Sequence, residues 1–107
     1  MDWFAKEKIR QTLNRAIGRM YYNVAISWWG MGNTWNIMYD EGAVVEWPFR
    51  YRRVAYLQMD PTPTIFVRMV PTTLNTASSE DVLKIVEKLV ETPEVLKEIG
   101  NIEIRKV

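Results

Sequence analysis

The sequence predicts an α+β domain: an N-terminal helix, a four-stranded antiparallel β-meander, and two C-terminal helices packed on one sheet face. A short final strand, or else a frayed tail, would close the chain. Three observations lead there. Apolar residues recur at spacings of three and four through residues 3–19, side chains alternate through much of residues 21–70, and the three-four spacing returns from residue 79. Helices segregated to the ends of an antiparallel run define the α+β class. The 107 residues make a single domain, 1–107, large enough to bury a core without staples.

Asp2 is placed to cap the first helix, in which Ala5, Ile9, Leu13, Ala16, Ile17 and Met20 form a narrow apolar stripe. Lys6, Lys8, Arg10, Arg15 and Arg19 occupy the remaining surface, against Asp2 and Glu7. A solvated amphipathic helix explains them; a basic helix flanking an anionic ligand is the functional reading. Gly18 stands where helices commonly end.

Tyr21–Trp29 alternates, with Tyr22, Val24, Ile26 and Trp28 on one face. Gly30-Met31-Gly32-Asn33 is a turn, and Thr34–Tyr39 is the second strand. The G-x-G in that turn is followed by no helix, so it reads as a hairpin loop and not a phosphate cradle. Asp40-Glu41-Gly42 turns into Val44–Met59, a stretch with four aromatic residues and three arginines, interrupted at Pro48. Proline donates no ladder bond, so it marks an edge, bulge or bend. Asp60-Pro61-Thr62-Pro63 is a rigid turn before the fourth strand, Thr64–Val70.

Ser78 or Ser79 caps the next helix, whose first turn holds Glu80 and Asp81 and whose stripe is Val82, Ile85, Val86, Leu89 and Val90. Thr92-Pro93 begins a second short helix with Val95, Leu96 and Ile99 inward. Gly100-Asn101 closes it, and Ile102–Val107 is the final strand or tail.

The absence of cysteine and histidine removes disulfides, thiolate chemistry, the commonest general base and the commonest transition-metal ligand. A serine nucleophile would lack a histidine base. Of the acidic residues in the sheet half, Asp40, Glu41 and Asp60 fall in turns, where acids are common anyway, and Glu46 does not complete a metal-site spacing. The chain is therefore read as a non-enzyme, with no cofactor or metal. Net charge is +1; residues 1–70 hold nine Lys/Arg against six Asp/Glu, and residues 71–107 five against seven. That asymmetry permits a local basic surface. No apolar run approaches the roughly 18 residues of a membrane span, and the N-terminus lacks a signal-peptide core. These features predict a cytoplasmic protein.

Assigning Val24, Ile26, Ile37, Val45, Ile65 and Val67 to the core leaves Tyr21, Trp29, Met38, Arg50, Arg52, Tyr56, Phe66 and Arg68 on the opposite face. The assignment holds if no bulge intervenes. Trp28, Trp35 and Trp47 are expected in the core, although five tryptophans are many for so small a sheet and some would then line a groove at its edge. Aromatic rings beside guanidinium groups suit single-stranded nucleic acid: rings stack on bases and Arg neutralises phosphate. Arg50, Arg52 and Arg68 would meet phosphates, Trp29, Tyr56 and Phe66 would stack, and Lys6, Arg10, Arg15 and Arg19 would extend a basic track. The alternative is a protein-interaction or structural module working through the same aromatic sheet face, since Trp, Tyr and Arg also enrich partner interfaces and stabilise exposed sheets. Its partner would be a homodimer mate or another chain.

The order of elements, a leading helix, an aromatic- and arginine-rich four-stranded sheet over residues 21–70, then closing helices, resembles the ThermoDBP-like single-stranded DNA-binding proteins of the Thermoproteales. Lack of cysteine, few Gln, and abundant Ile, Val, Glu, Lys and Arg suit a hyperthermophile; small proteins of archaeal viruses share such a composition. The resemblance covers most of residues 3–100 and is architectural, so no family residue is carried over. It implies sequence-tolerant binding of single-stranded DNA, ahead of RNA, in a cleft of aromatic and basic groups. Family members also carry a C-terminal coiled-coil dimerisation segment, whereas this sequence shows no sustained heptads.

Overall fold

The computed structural model describes residues 1–21, 24–28, 33–40, 51–69 and 79–107, with backbone alone at 40, 51 and 52. They form α1 (Trp3–Gly18), β1 (Val24–Trp28), β2 (Thr34–Asp40), β3 (Tyr51–Gln58), β4 (Thr64–Val67), α2 (Ser79–Glu91), α3 (Pro93–Glu98) and β5 (Glu103–Lys106). The architecture is α+β as expected, but the sheet has five strands in the order β1-β2-β3-β4-β5. The first four make an antiparallel meander, and β5 adds parallel to β4. A parallel neighbour requires a long crossover; α2 and α3 lie within it.

Local chemistry sets the helix ends. The Asp2 carboxylate accepts the Ala5 N–H at 2.8 Å, satisfying one of the donors that a helix start leaves orphaned. α1 stops at Gly18, so Met20 falls past the last turn and is exposed, departing from the predicted stripe. Tyr21, expected on the open sheet face, donates its N–H to the Ile17 carbonyl at 2.8 Å and packs against the core, because β1 begins only at Val24. In α3, Val95 is buried and Ile99 partly so, but Leu96 is exposed. Residues i and i+4 share a helix face while i+1 turns about 100° away, and six residues present one face only. Gly100 ends α3 at φ 93°, a left-handed conformation that a side chain disfavours.

α1 and α2 pack on one sheet face, and α3 packs against both helices. The core joins Ile9, Leu13 and Ile17 of α1 to Val82, Val86 and Leu89 of α2, Val95 of α3, and the inward residues of the sheet. Those inward residues run in register across it: Ile26 beside Ile37, Ile37 beside Ala55, Ala55 beside Val67. The predicted core assignment of Val24, Ile26, Ile37, Ile65 and Val67 is observed; Val45 and Trp47 lie outside the described residues. Trp35 is fully buried, and its indole N–H donates to the Lys6 carbonyl at 3.0 Å. Trp28 is half-buried, its ring edge-on to Trp3. At the β1 edge the Ile26 N–H, turned away from β2, is met by the Asn14 side-chain oxygen at 3.0 Å. That contact covers part of an edge that would otherwise invite pairing. At the other end of the strands, Asn33 donates to the Asp60 carboxylate at 2.9 Å, tying the start of β2 to the β3–β4 turn.

Two substitutions test this framework. Trp35→Ala removes the largest fully buried side chain among the described residues and should cost about 3–5 kcal/mol in urea unfolding. Gly100→Ala, with open space around the new methyl group but a left-handed backbone to hold, should cost about 1–2 kcal/mol.

Candidate nucleic-acid interface

The sheet face away from the helices is built by the residues that alternate with the core. Ser27, Asn36, Tyr56, Phe66 and Arg105 stand side by side, each in register with the next, across β1 to β5. Tyr56 and Phe66 stack, with ring centroids 5.0 Å apart and planes 22° apart, both half-buried. The register brings them together, since directly opposed residues on antiparallel strands are the closest pairs of a sheet. The Arg53 guanidinium carbon lies 5.0 Å from the Tyr56 ring centroid, a cation–π contact. Arg68, exposed, follows β4, its backbone N–H reaching the Val54 carbonyl at 3.4 Å and its carbonyl accepting from Ser79 Oγ at 3.1 Å.

Arg53 takes this place because of a bulge. Ile37 pairs with Ala55, but Met38 pairs with Arg53, so Val54 is an extra residue on β3. An extra residue reverses the alternation beyond it. The unbroken alternation expected from the sequence set Arg52 with Tyr56; instead Arg52 pairs with Tyr39, a core-side position, and Arg53 falls in step with Met38 and Tyr56. Trp29 and Arg50 lie outside the described residues, as does the Arg52 side chain.

The four cations of α1 do not extend this face. Their helix packs on the opposite side of the sheet, and most of them have local duties. Lys6 is buried, its ammonium 5.4 Å from the Trp28 ring centroid. Arg10 is ion-paired with Glu7 one turn earlier. Arg19 pairs with Glu94 of α3 at 2.7 Å. Arg15 lines a groove of about 430 Å³ between α1 and α3, with Lys8, Lys97 and the Glu94 and Glu98 carboxylates. The charges alternate there, as in an interhelical ion-pair seam. Lys8 pairs with Glu98 at 3.6 Å.

The pattern concealed three members of the open face. Arg53 could be found only by locating the bulge. Arg105 required the terminal Ile-Glu-Ile-Arg alternation to be taken as a strand. Asn36, inside an otherwise apolar and aromatic strand, is buried, and its side-chain oxygen has no hydrogen-bond partner. Such groups are costly and uncommon. Among the described residues, no group of three or more acidic, Cys or His side chains is placed to hold a metal ion, and no helix is long and apolar enough to cross a membrane. Comparison with protein-family models, curated proteins and solved structures found no match to the chain.

The Glu94 carboxyl is held below the usual carboxylate range, first by its backbone N–H at the start of α3 and then by Arg19. A depressed folded-state pKa contributes stability above the unfolded value, and that contribution is lost as pH falls through the folded value. The parent should therefore exceed Glu94→Gln slightly in urea midpoint at neutral pH, and the difference should vanish in acid. A difference that persists at low pH would assign the seam's stability to packing and not to charge.

Proposed function

We propose that the open sheet face binds single-stranded nucleic acid with little sequence preference, without catalysis and without a cofactor. The observation that carries this reading is the Tyr56–Phe66 stack with Arg53 over the Tyr56 ring: two half-buried aromatic rings with a permanent positive charge beside them. Every base has a π face, so a ring platform binds bases regardless of identity, at about 1–3 kcal/mol per stacked base. Arg53, with Arg68 and Arg105 further along the same face, supplies the phosphate charge. Guanidinium groups suit that role because they stay ionised and present a planar fork of donors. DNA is favoured over RNA on the architectural resemblance described above.

A protein-interaction role draws on a different part of the surface. Trp3 and Phe4 meet edge to face at 5.3 Å at the start of α1, and Phe4 is 78% exposed. Exposed aromatic groups of this size commonly serve partner contacts. They lie at the helical end of the molecule, so the two readings are separable by mutation.

Fluorescence anisotropy of a labelled oligo-dT strand tests the proposal. Tyr56→Ala should weaken binding by about 1–3 kcal/mol at every salt concentration. Arg53→Ala should weaken it at low salt and lower the slope of log K against log salt by about 0.7. A double variant that binds like the parent at all salt concentrations would sink the site. Loss of binding on Trp3→Ala and Phe4→Ala, with Tyr56→Ala silent, would move the interface to the helical end.

A further inference from the structure

The two edges of the sheet differ. β1 is covered in part by α1, with Asn14 occupying an edge N–H, whereas no described element borders β5. β5 turns its odd-numbered backbone groups toward β4: the Glu103 and Val107 N–H groups donate to the Pro63 and Val67 carbonyls at 3.0 and 2.9 Å, and the Val107 carbonyl accepts from Met69 at 2.9 Å. Backbone groups alternate in direction along a strand, so those of Ile102, Ile104 and Lys106 point outward. These are the groups with which a further strand would pair.

We propose that this edge pairs antiparallel with β5 of a second copy, in the register that sets Ile104 opposite Ile104 of its mate. Two constraints select that register. The outward even-numbered residues must face one another to exchange hydrogen bonds, and the outer faces of both sheets must stay on one side. Three central registers satisfy both conditions. One sets Glu103 against Glu103 and another Arg105 against Arg105, each placing like charges directly opposite, which destabilises a pair. The third sets Glu103 against Arg105 twice, once on each side of the Ile104 pair. Strands blunted against association usually carry charge that repels itself; the charges on this one complement themselves. Within one copy the two side chains already approach to 3.7 Å, both well exposed, and would exchange that weak contact for the intermolecular ones. The edge is four residues long, so the association is weak and reversible.

Sedimentation equilibrium without nucleic acid tests the pairing independently of any ligand. The parent should rise in average mass from 12.6 kDa toward its double as concentration increases into the millimolar range. Arg105→Glu should weaken association roughly tenfold, since two attractive pairs become repulsive. The double variant Glu103→Arg/Arg105→Glu restores both pairs and should recover it. A mixture of Arg105→Glu with Glu103→Arg should associate better than either alone. A parent that stays monomeric at millimolar concentration overturns the proposal. So does an Arg105→Glu chain that associates like the parent, or a double variant that behaves like the single.

Discussion

The hydrogen bond from the Trp35 indole to the Lys6 carbonyl is the contact on which the arrangement of the two layers depends. It joins the second strand to the first helix across 29 residues, in a site with no access to water. An indole buried there without an acceptor would carry a desolvation cost comparable to a lost hydrogen bond, so the helix must present a carbonyl at that point. The rotation of α1 follows. Ile9, Leu13 and Ile17 face the sheet, Asn14 reaches the β1 edge, and Lys8, Arg15 and Arg19 are turned toward α3. By committing the basic helix to one side of the sheet, the same contact leaves the other side to be defined by strand residues alone.

On that second side a bulge does the sorting. Val54 and Ala55 both turn inward, which a regular strand does not allow, and the arginine ahead of them is carried round to the tyrosine. Of three arginines in four positions, the one over the ring is selected by a single extra residue. Stacking of Phe66 then holds the Tyr56 ring from the β4 side, so a ligand proposed for this face would meet an already ordered pair. Pre-ordered groups lose less entropy on binding.

Much of the fold was legible in the sequence because it rests on periodicity. The Asp2 cap, the three-four stripe of α1, the alternation through Val24–Trp28 and Thr34–Tyr39, and the Thr92-Pro93 restart are all local signals that the fold obeys. What failed to show was what depends on neighbours. The Val54 bulge has no glycine or proline to announce it, and the sequence draws the eye to Pro48 instead. Met20 and Leu96 fit their stripes but lie where a helix stops or is too short to bury them. β5 is legible as an alternation, yet its burial depends on a parallel partner about 40 residues earlier, and a four-residue amphipathic tail looks the same with or without one. The cations of α1 show the same limit. Their number is visible in the sequence, but whether an anion or a glutamate of α3 holds them is decided by packing.

The unequal edges of the sheet have a consequence for how far growth can proceed. A strand array with two open edges is a monomer unit for a fibre, because each addition recreates the surface that drove it. Here α1 and Asn14 cover part of one terminus, so addition is favoured at the opposite terminus, where it consumes the open edge of both participants. The two-fold relation is isologous and closes on itself. Such pairing would limit open-ended polymerisation without requiring a repulsive sequence at the β5 edge.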